Sequence, residues 1–307
     1  MPRLAFFLIL KVVLLLLFVR RCLVLCWIAL DSNAALGTTQ CQQHFAAGQR
    51  PVISNPKLQP RTQEICFLAF AVLHSGLSRT PLYSAEHLSR QKLKNASKLS
   101  RLNFYHAQTT LPENDRAELS DYERSSYDRG HMAPNADFAT RKSQAESFSL
   151  ANIVPQVHEN NVGVWAGIES AARQLAKREG ELYVISGPAF IGSKLNKIGS
   201  VVVPTHLWKV IYSPIQQTAG AYLVTNDNTR AYSVVTVARL EKMVGISLLP
   251  GLPQRVRDAG MLLPRPVFRQ NRRTTRTFKP AEEFTLREFT SLTTQAINQI
   301  RKKQETP

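Results

Sequence analysis

The stretch Tyr127-Asp-Arg-Gly-His-Met-Ala-Pro-Asn-Ala-Asp137 decides how the rest of the chain is read. It is polar and irregular, with Gly130 and Pro134 on either side of His131-Met-Ala. In such a stretch both backbone and side chains reach a ligand. A histidine is more often structural than chemical, but this one has Arg129 beside it. An imidazole with its ordinary pKa of about 6.5 is largely neutral at pH 7, as a general base must be. An arginine brings a planar fork of donors that grips a phosphate and stabilises charge as it develops there.

A second group follows in Asn152-Ile-Val-Pro-Gln156 and Asn161-Val-Gly-Val-Trp165-Ala-Gly-Ile-Glu169. Positions 161, 165 and 169 are spaced i, i+4, i+8 and form one row on a helix. Trp165 then packs inward, while Asn161 and Glu169 offer oxygens to a single hydrated cation. Magnesium suits such a site, because it prefers oxygen, keeps several waters and uses one or two protein groups beside a substrate phosphate. Taken singly, each residue has a plainer reading. Asn160 or Asn161 could cap the helix that follows, and Glu169 could be a solvated surface acid.

The combination is another matter. Tyr-Asp-Arg-Gly-His-Met-Ala-Pro, then Asn-x-x-Pro-Gln, then Asn-x-x-x-Trp-x-x-x-Glu resembles the DNA/RNA non-specific endonuclease family of the ββα-metal superfamily, which includes secreted bacterial nucleases and mitochondrial endonuclease G. Cys41 with His44-Phe45, Cys66, Thr80-Pro81-Leu82-Tyr83, Ser186-Gly187-Pro188 and Val203-Pro204-Thr205-His206 extend the resemblance over roughly residues 40–265. It implies an α+β fold, a central and mainly antiparallel sheet flanked by helices, with a β-hairpin and a helix holding the metal. By position it makes His131 the general base, Asn161 the direct magnesium ligand, Arg129 the arginine of the motif and Glu169 the acid that orders metal-bound water. Arg101 matches an upstream phosphate-binding arginine; Asp128 and Asn152 match supporting positions. Asn135 stands where a small residue is more usual.

The activity implied is magnesium-dependent hydrolysis of DNA and RNA to 5′-phosphate ends, with manganese as a possible substitute. Indifference to sequence follows from chemistry centred on the phosphate, since backbone contacts carry no base information. Two alternatives remain open at this stage: an exported nucleic-acid-binding or uptake protein that keeps the fold, and a phosphodiesterase of smaller substrates.

The bulk composition agrees. Thirty-nine Lys and Arg against 22 Asp and Glu give +17 over 307 residues. Setting residues 1–34 aside leaves 35 cations and 21 acids, a surplus of +14, which draws in polyanions. Residues 1–35 read as an address: Leu4–Leu10, Val12–Val19 and Cys22–Leu30 are apolar, and Ser32-Asn33-Ala34-Ala35 follows as a cleavage site requires. Export to the periplasm or medium is the expectation. An uncleaved leader that tethers the protein to the membrane is the alternative. Beyond it only Cys41 and Cys66 remain, expected as a disulfide in an oxidising compartment, with two buried thiols as the other possibility. A pair of cysteines with no clustered histidines argues against a structural zinc site.

Residues 36–268 are expected to form the nuclease domain. Residues 36–80 read as irregular, apart from a short strand or helical turn at Ile65–Leu73, and Ser84–Leu93 as the start of a helix. Trp165, Ile168, Ala172 and Leu175 mark an amphipathic helix. Strands are expected at Glu181–Ser186, Ser200–Val203, Leu207–Tyr212 and Ala219–Thr225, and a helix at Val234–Val244 ending on Gly245. Residues 269–307 read as a basic linker, with Arg269, Arg272, Arg273, Arg276 and Lys279, and then a helix opened by Pro280-Ala-Glu-Glu.

Overall fold

The structure is a computed structural model that describes residues 41–268, Leu102 excepted. The expected leader and the basic tail with its helix lie outside the described residues. A sheet of seven strands forms the centre, in the order Tyr232–Val235, Thr218–Thr225, His206–Ser213, Glu181–Ala189, Thr80–Ser89, Phe70–Ser75 and Thr62–Cys66. Every neighbouring pair is antiparallel. The α+β expectation holds.

Alternation along the central strands divides the core into two faces. Tyr83, Ala85, Ile185, Trp208 and Val210 point to one, where Leu240 and Val244 of the helix Val237–Val244 cover them. Leu88, Val184, Leu207 and Ile211 point to the other, under Trp165, Ile168, Ala172 and Leu175. These last four are the apolar stripe expected of a helix; Ile168, Ala172 and Leu175 lie on the helix Ala166–Glu179, and Trp165 is its N-cap residue. Gly245 ends the shorter helix in the left-handed region, at φ 69°, where a side chain is disfavoured. Among the described residues no helix is long and apolar enough to cross a membrane.

Several boundaries differ from expectation. Residues 62–80, read as irregular apart from Ile65–Leu73, hold the strands Thr62–Cys66 and Phe70–Ser75 and the start of Thr80–Ser89. The segment read as the start of a helix at Ser84–Leu93 is mostly the strand Thr80–Ser89, and the helix Arg90–Ala96 begins only after it. That strand is buried on both faces, so its polar residues Ser84 and Glu86 lie inside and erase the period-two signal. Ser89 then caps the helix, its hydroxyl oxygen accepting from the Lys92 amide at 3.3 Å. Glu181–Ala189 runs on through Gly187-Pro188, and the Pro188 carbonyl accepts the Trp208 indole N–H at 3.0 Å. Tyr232–Val235 is an edge strand ahead of the helix once expected to start at Val234.

Cys41 and Cys66 are joined, with Cα atoms 5.7 Å apart. The bond ties the chain at Cys41 to the edge strand Thr62–Cys66. Closing a loop of that size contributes about 3 kcal/mol in the chain-entropy model. Reduction should therefore lower the melting temperature measurably, and non-reducing peptide mapping of native protein should recover Cys41 and Cys66 in one peptide pair. Two free thiols in native material would contradict the bond.

Candidate active site

Residues 90–180 leave the sheet between the strands Thr80–Ser89 and Glu181–Ala189, and this excursion builds the site. Its first part is a hairpin in which Tyr127–His131 pairs antiparallel with Ile153–Val157, Gly130 facing Val154 and His131 facing Ile153. The glycine lets the two strands approach closely. A Cβ at position 130 would lie 2.0 Å from Gln156 Oε1 and 2.7 Å from Gln156 Cβ. Gly130→Ala should cost about 1–3 kcal/mol by overpacking, read by denaturant unfolding, and should lower activity as the strand end bearing His131 shifts. A variant of unchanged stability would show that the two strands have room to spare.

Asn152 locks the residues after His131 to the sheet. Its Oδ1 accepts from Ser84 Oγ at 2.8 Å and from the Ala133 amide at 3.0 Å. Its Nδ2 donates to the Ala133 and Ser147 carbonyls at 2.8 and 2.9 Å. The whole capacity of the amide is used inside the protein. Asn152 therefore positions the loop and is not left to meet substrate. Trp165 adds a further tie, its indole N–H donating to the His131 carbonyl at 3.2 Å.

His131 sits at the end of its strand, 7% exposed. Its ring meets Phe148 edge-on at 4.9 Å and Tyr105 at a tilt, 5.6 Å between centroids. Nε2 is buried and finds no hydrogen-bond partner among the described residues. Burial lowers the imidazole pKa to about 3, and the Arg101 guanidinium pushes the same way. The ring is neutral at pH 7, with Nε2 unpaired among the described residues.

Asn161 lies ahead of the long helix, in the wider turn Asn160–Trp165. Gly163, at φ −101° and ψ −107°, interrupts the helical path, so positions 161, 165 and 169 do not form the continuous α-helical row expected. Asn161 Nδ2 donates to Asp128 Oδ2 at 2.8 Å, an oxygen that also meets His158 Nδ1 at 2.9 Å. This fixes the amide end for end and leaves Oδ1 for another partner. Glu159, not Asn161, holds the N-cap position of the turn. The neighbouring Asn160 is structural: it accepts from Gln156 Nε2 and donates to the Thr225 carbonyl, both at 2.7 Å.

Arg101, Arg129, His131, Asn161 and Glu169 all line one cleft of about 290 Å³. Arg129 lays its guanidinium over the Tyr105 and Tyr122 rings, 5.3 and 5.5 Å from their centroids. Its Nε is buried with no hydrogen-bond partner among the described residues. Arg101 stands over Phe148 at 5.6 Å and donates through Nε to Asn103 Oδ1 at 2.6 Å. Asp128 stands behind Asn161, and Asn152 beneath the loop; Cys41 and Cys66 are away from the cleft, Cys41 in the core of the opposite face.

Sequence reasoning missed Arg173, which also lines the cleft. It donates to Asp137 Oδ1 at 3.0 Å and lies 4.0 Å from Glu169 Oε2. Its spacing of four from Glu169 was the available signal, though such pairs usually sit on solvated helix faces. Lys209 was missed too. It is buried, donating to Ser186 Oγ at 2.5 Å with its ammonium 5.1 Å from the Trp165 ring centroid. Burial raises the Glu86, Asp137 and Glu169 pKa values, with neighbouring acids adding to the rise at Glu86 and Glu169, while Arg173 and Lys209 oppose it at all three. A buried set of charges thus backs the wall that carries Glu169.

The hairpin thus presents His131 to an arginine-lined cleft, with Asn161 of the turn and Glu169 of the helix that follows on its lining. The family model for DNA/RNA non-specific endonucleases matches residues 49–255, and the chain belongs to that family. It is 31% identical to the mitochondrial nuclease EXOG of Danio rerio over 237 residues, 70% of this chain and 69% of that protein. Human EXOG is 32% identical over 215 residues, and the match spans 58% of its length. A nuclease of Nostoc sp. is 28% identical over 235 residues, 84% of its length. Among solved structures, a chain of the EndoG/EndoGI complex shares the fold at a TM-score of 0.55 and 24% identity, covering 63% of this chain and 88% of that one.

Proposed function

We propose that the protein is a magnesium-dependent endonuclease that cuts DNA and RNA alike to 5′-phosphate ends, with His131 as general base and Asn161 as metal ligand. Nuclease activity on nucleic acids and dependence on a divalent metal belong to the family. The observation that carries the finer reading is the meeting, in one arginine-lined cleft, of the buried unbonded Nε2 of His131 with Asn161, whose amide Asp128 orients.

The residues fit a hard, hydrated cation. Among the described residues no three His, Cys, Asp or Glu side chains gather to form a metal cage. The donor set is one amide oxygen with a carboxylate nearby, as magnesium needs when water and substrate complete its shell. Bound there, the cation supplies positive charge beside the reacting phosphate, and manganese is expected to substitute for it.

The remaining chemistry is done by the chain. His131 Nε2 accepts a proton from a water molecule, whose oxygen attacks phosphorus as the bond to the 3′ oxygen breaks. The departing 3′ oxygen takes up a proton from water in the cleft, the imidazolium returns its own to solvent, and the phosphate stays on the 5′ side. Arg129 and Arg101 hold non-bridging oxygens and meet the charge that builds on them. Glu169 orders water in the cleft. Asp128 and Asn152 keep Asn161 and the histidine loop in register.

We also propose export, resting on the apolar residues 1–35 and on the disulfide, which suits an oxidising compartment. A leader left in place would add membrane association. The catalytic reading is tested by incubating the purified chain with plasmid, with RNA and with bis-p-nitrophenyl phosphate, each with magnesium and with EDTA. Cleavage of both polymers, lost in EDTA, is expected. Hydrolysis of the small ester with both polymers left intact would make the protein a phosphodiesterase of small substrates.

A further inference from the structure

Two observations outside this mechanism coincide at Asn135. The residue sits in the short turn Asn135–Asp137, directly after the motif, and is 6% exposed. Its Nδ2 is buried and finds no hydrogen-bond partner among the described residues. Buried donors are nearly always satisfied, so an unsatisfied one beside a cleft calls for an acceptor the chain does not supply.

The second observation is a hollow of about 240 Å³ that adjoins the catalytic cleft and shares Asn135, Arg101 and Arg173 with it. Leu93 and Ala96 give it an apolar wall, and the exposed Lys177 stands on its lining. Cations suit a phosphate, an apolar wall suits the flat of a sugar or base, and a free amide N–H suits an acceptor oxygen or ring nitrogen. The volume lies below the roughly 300–1,000 Å³ of sites for drug-sized ligands.

We propose that this hollow is a subsite for a nucleotide next to the scissile phosphodiester, with the Asn135 amide donating to it at the boundary of the two cavities. The proposal rests on the nuclease reading, and it explains why the chain keeps a polar side chain there at the expense of a buried unmet donor.

The test compares the full chain with Asn135→Ala and with Ser97→Trp, which places a large ring in the hollow. For a single-stranded DNA dodecamer, kcat and KM are measured with magnesium, Kd by fluorescence anisotropy in EDTA, and melting temperature without DNA. Asn135→Ala should raise KM and Kd about three- to tenfold, the scale of one hydrogen bond. Its kcat should stay within about twofold, and its melting temperature should hold or rise, because a buried unmet donor has gone. Ser97→Trp should weaken Kd to a similar degree. Unchanged KM and Kd in both variants would overturn the subsite. So would a lower melting temperature for Asn135→Ala with kcat and affinity falling together, since Asn135 would then be structural. A wild-type chain that binds the dodecamer without cutting it fails the nuclease reading and leaves the subsite standing.

Discussion

His131→Ala lowers kcat by about 10²–10⁴-fold, the range of general-base catalysis, while DNA affinity and melting temperature stay close to wild type. The ring contributes an edge contact with Phe148 and a tilted contact with Tyr105, and among the described residues no hydrogen bond at Nε2 would be lost. The same geometry sets the pH dependence. Because burial and then Arg101 lower the pKa to about 3, the base remains neutral well below the ordinary histidine range. The acid limb of kcat/KM should therefore fall below pH 6.5, provided the fold survives there. Stability runs in a matching direction. An unfolded chain binds a proton on this histidine near pH 6.5 and the folded chain does not, so stability is lost progressively as pH drops from about 6.5 toward 3. His44, His74 and His206, each lowered to about 4 chiefly by burial, add to the same loss. Near-normal turnover in the alanine variant would remove His131 from the mechanism.

Asn161→Ala is the second large effect. Losing the amide oxygen should reduce activity about 10²–10³-fold at low magnesium, comparable to deleting one charge-stabilising donor elsewhere. Part of it should return as magnesium is raised, because the remaining oxygens still hold the ion weakly. Stability should change little. Asn161 caps no helix, and Asp128 keeps its contact with His158 at 2.9 Å. Asn161→Asp retains an oxygen but places a second carboxylate against Asp128, and should recover metal binding only partly. A variant that loses melting temperature and cuts normally would make Asn161 architectural and put the metal elsewhere.

The contrast between what could and could not be read in the sequence has a physical pattern. The motif residues could be read because chemistry fixes their type: a neutral imidazole, a guanidinium and an amide oxygen have few substitutes, and Arg129, His131, Asn161 and Glu169 do converge on one cleft. The amphipathic helix could be read because its apolar stripe faces a single core. The strand Thr80–Ser89 could not, since it is buried on both faces and carries Ser84 and Glu86 inward as part of the site's support. Lys209 was hidden for the same reason, sharing a face with Leu207 and Ile211 where alternation predicts an apolar residue. The helical row from Asn161 to Glu169 failed at Gly163, whose backbone freedom permits a turn that spacing alone cannot foresee. In the strand and at Lys209, tertiary burial outweighed the local pattern.

The central claim is that a cation held at Asn161 and a base at His131 are both required for cutting. It is tested most directly by digesting plasmid DNA with wild type, His131→Ala and Asn161→Ala across a magnesium titration and mapping the ends of the products. Wild type should leave 5′-phosphates, His131→Ala should stay slow at every magnesium concentration, and Asn161→Ala should recover in part as magnesium rises. Products bearing 3′-phosphates, or cutting by wild type that persists undiminished in EDTA, would contradict it.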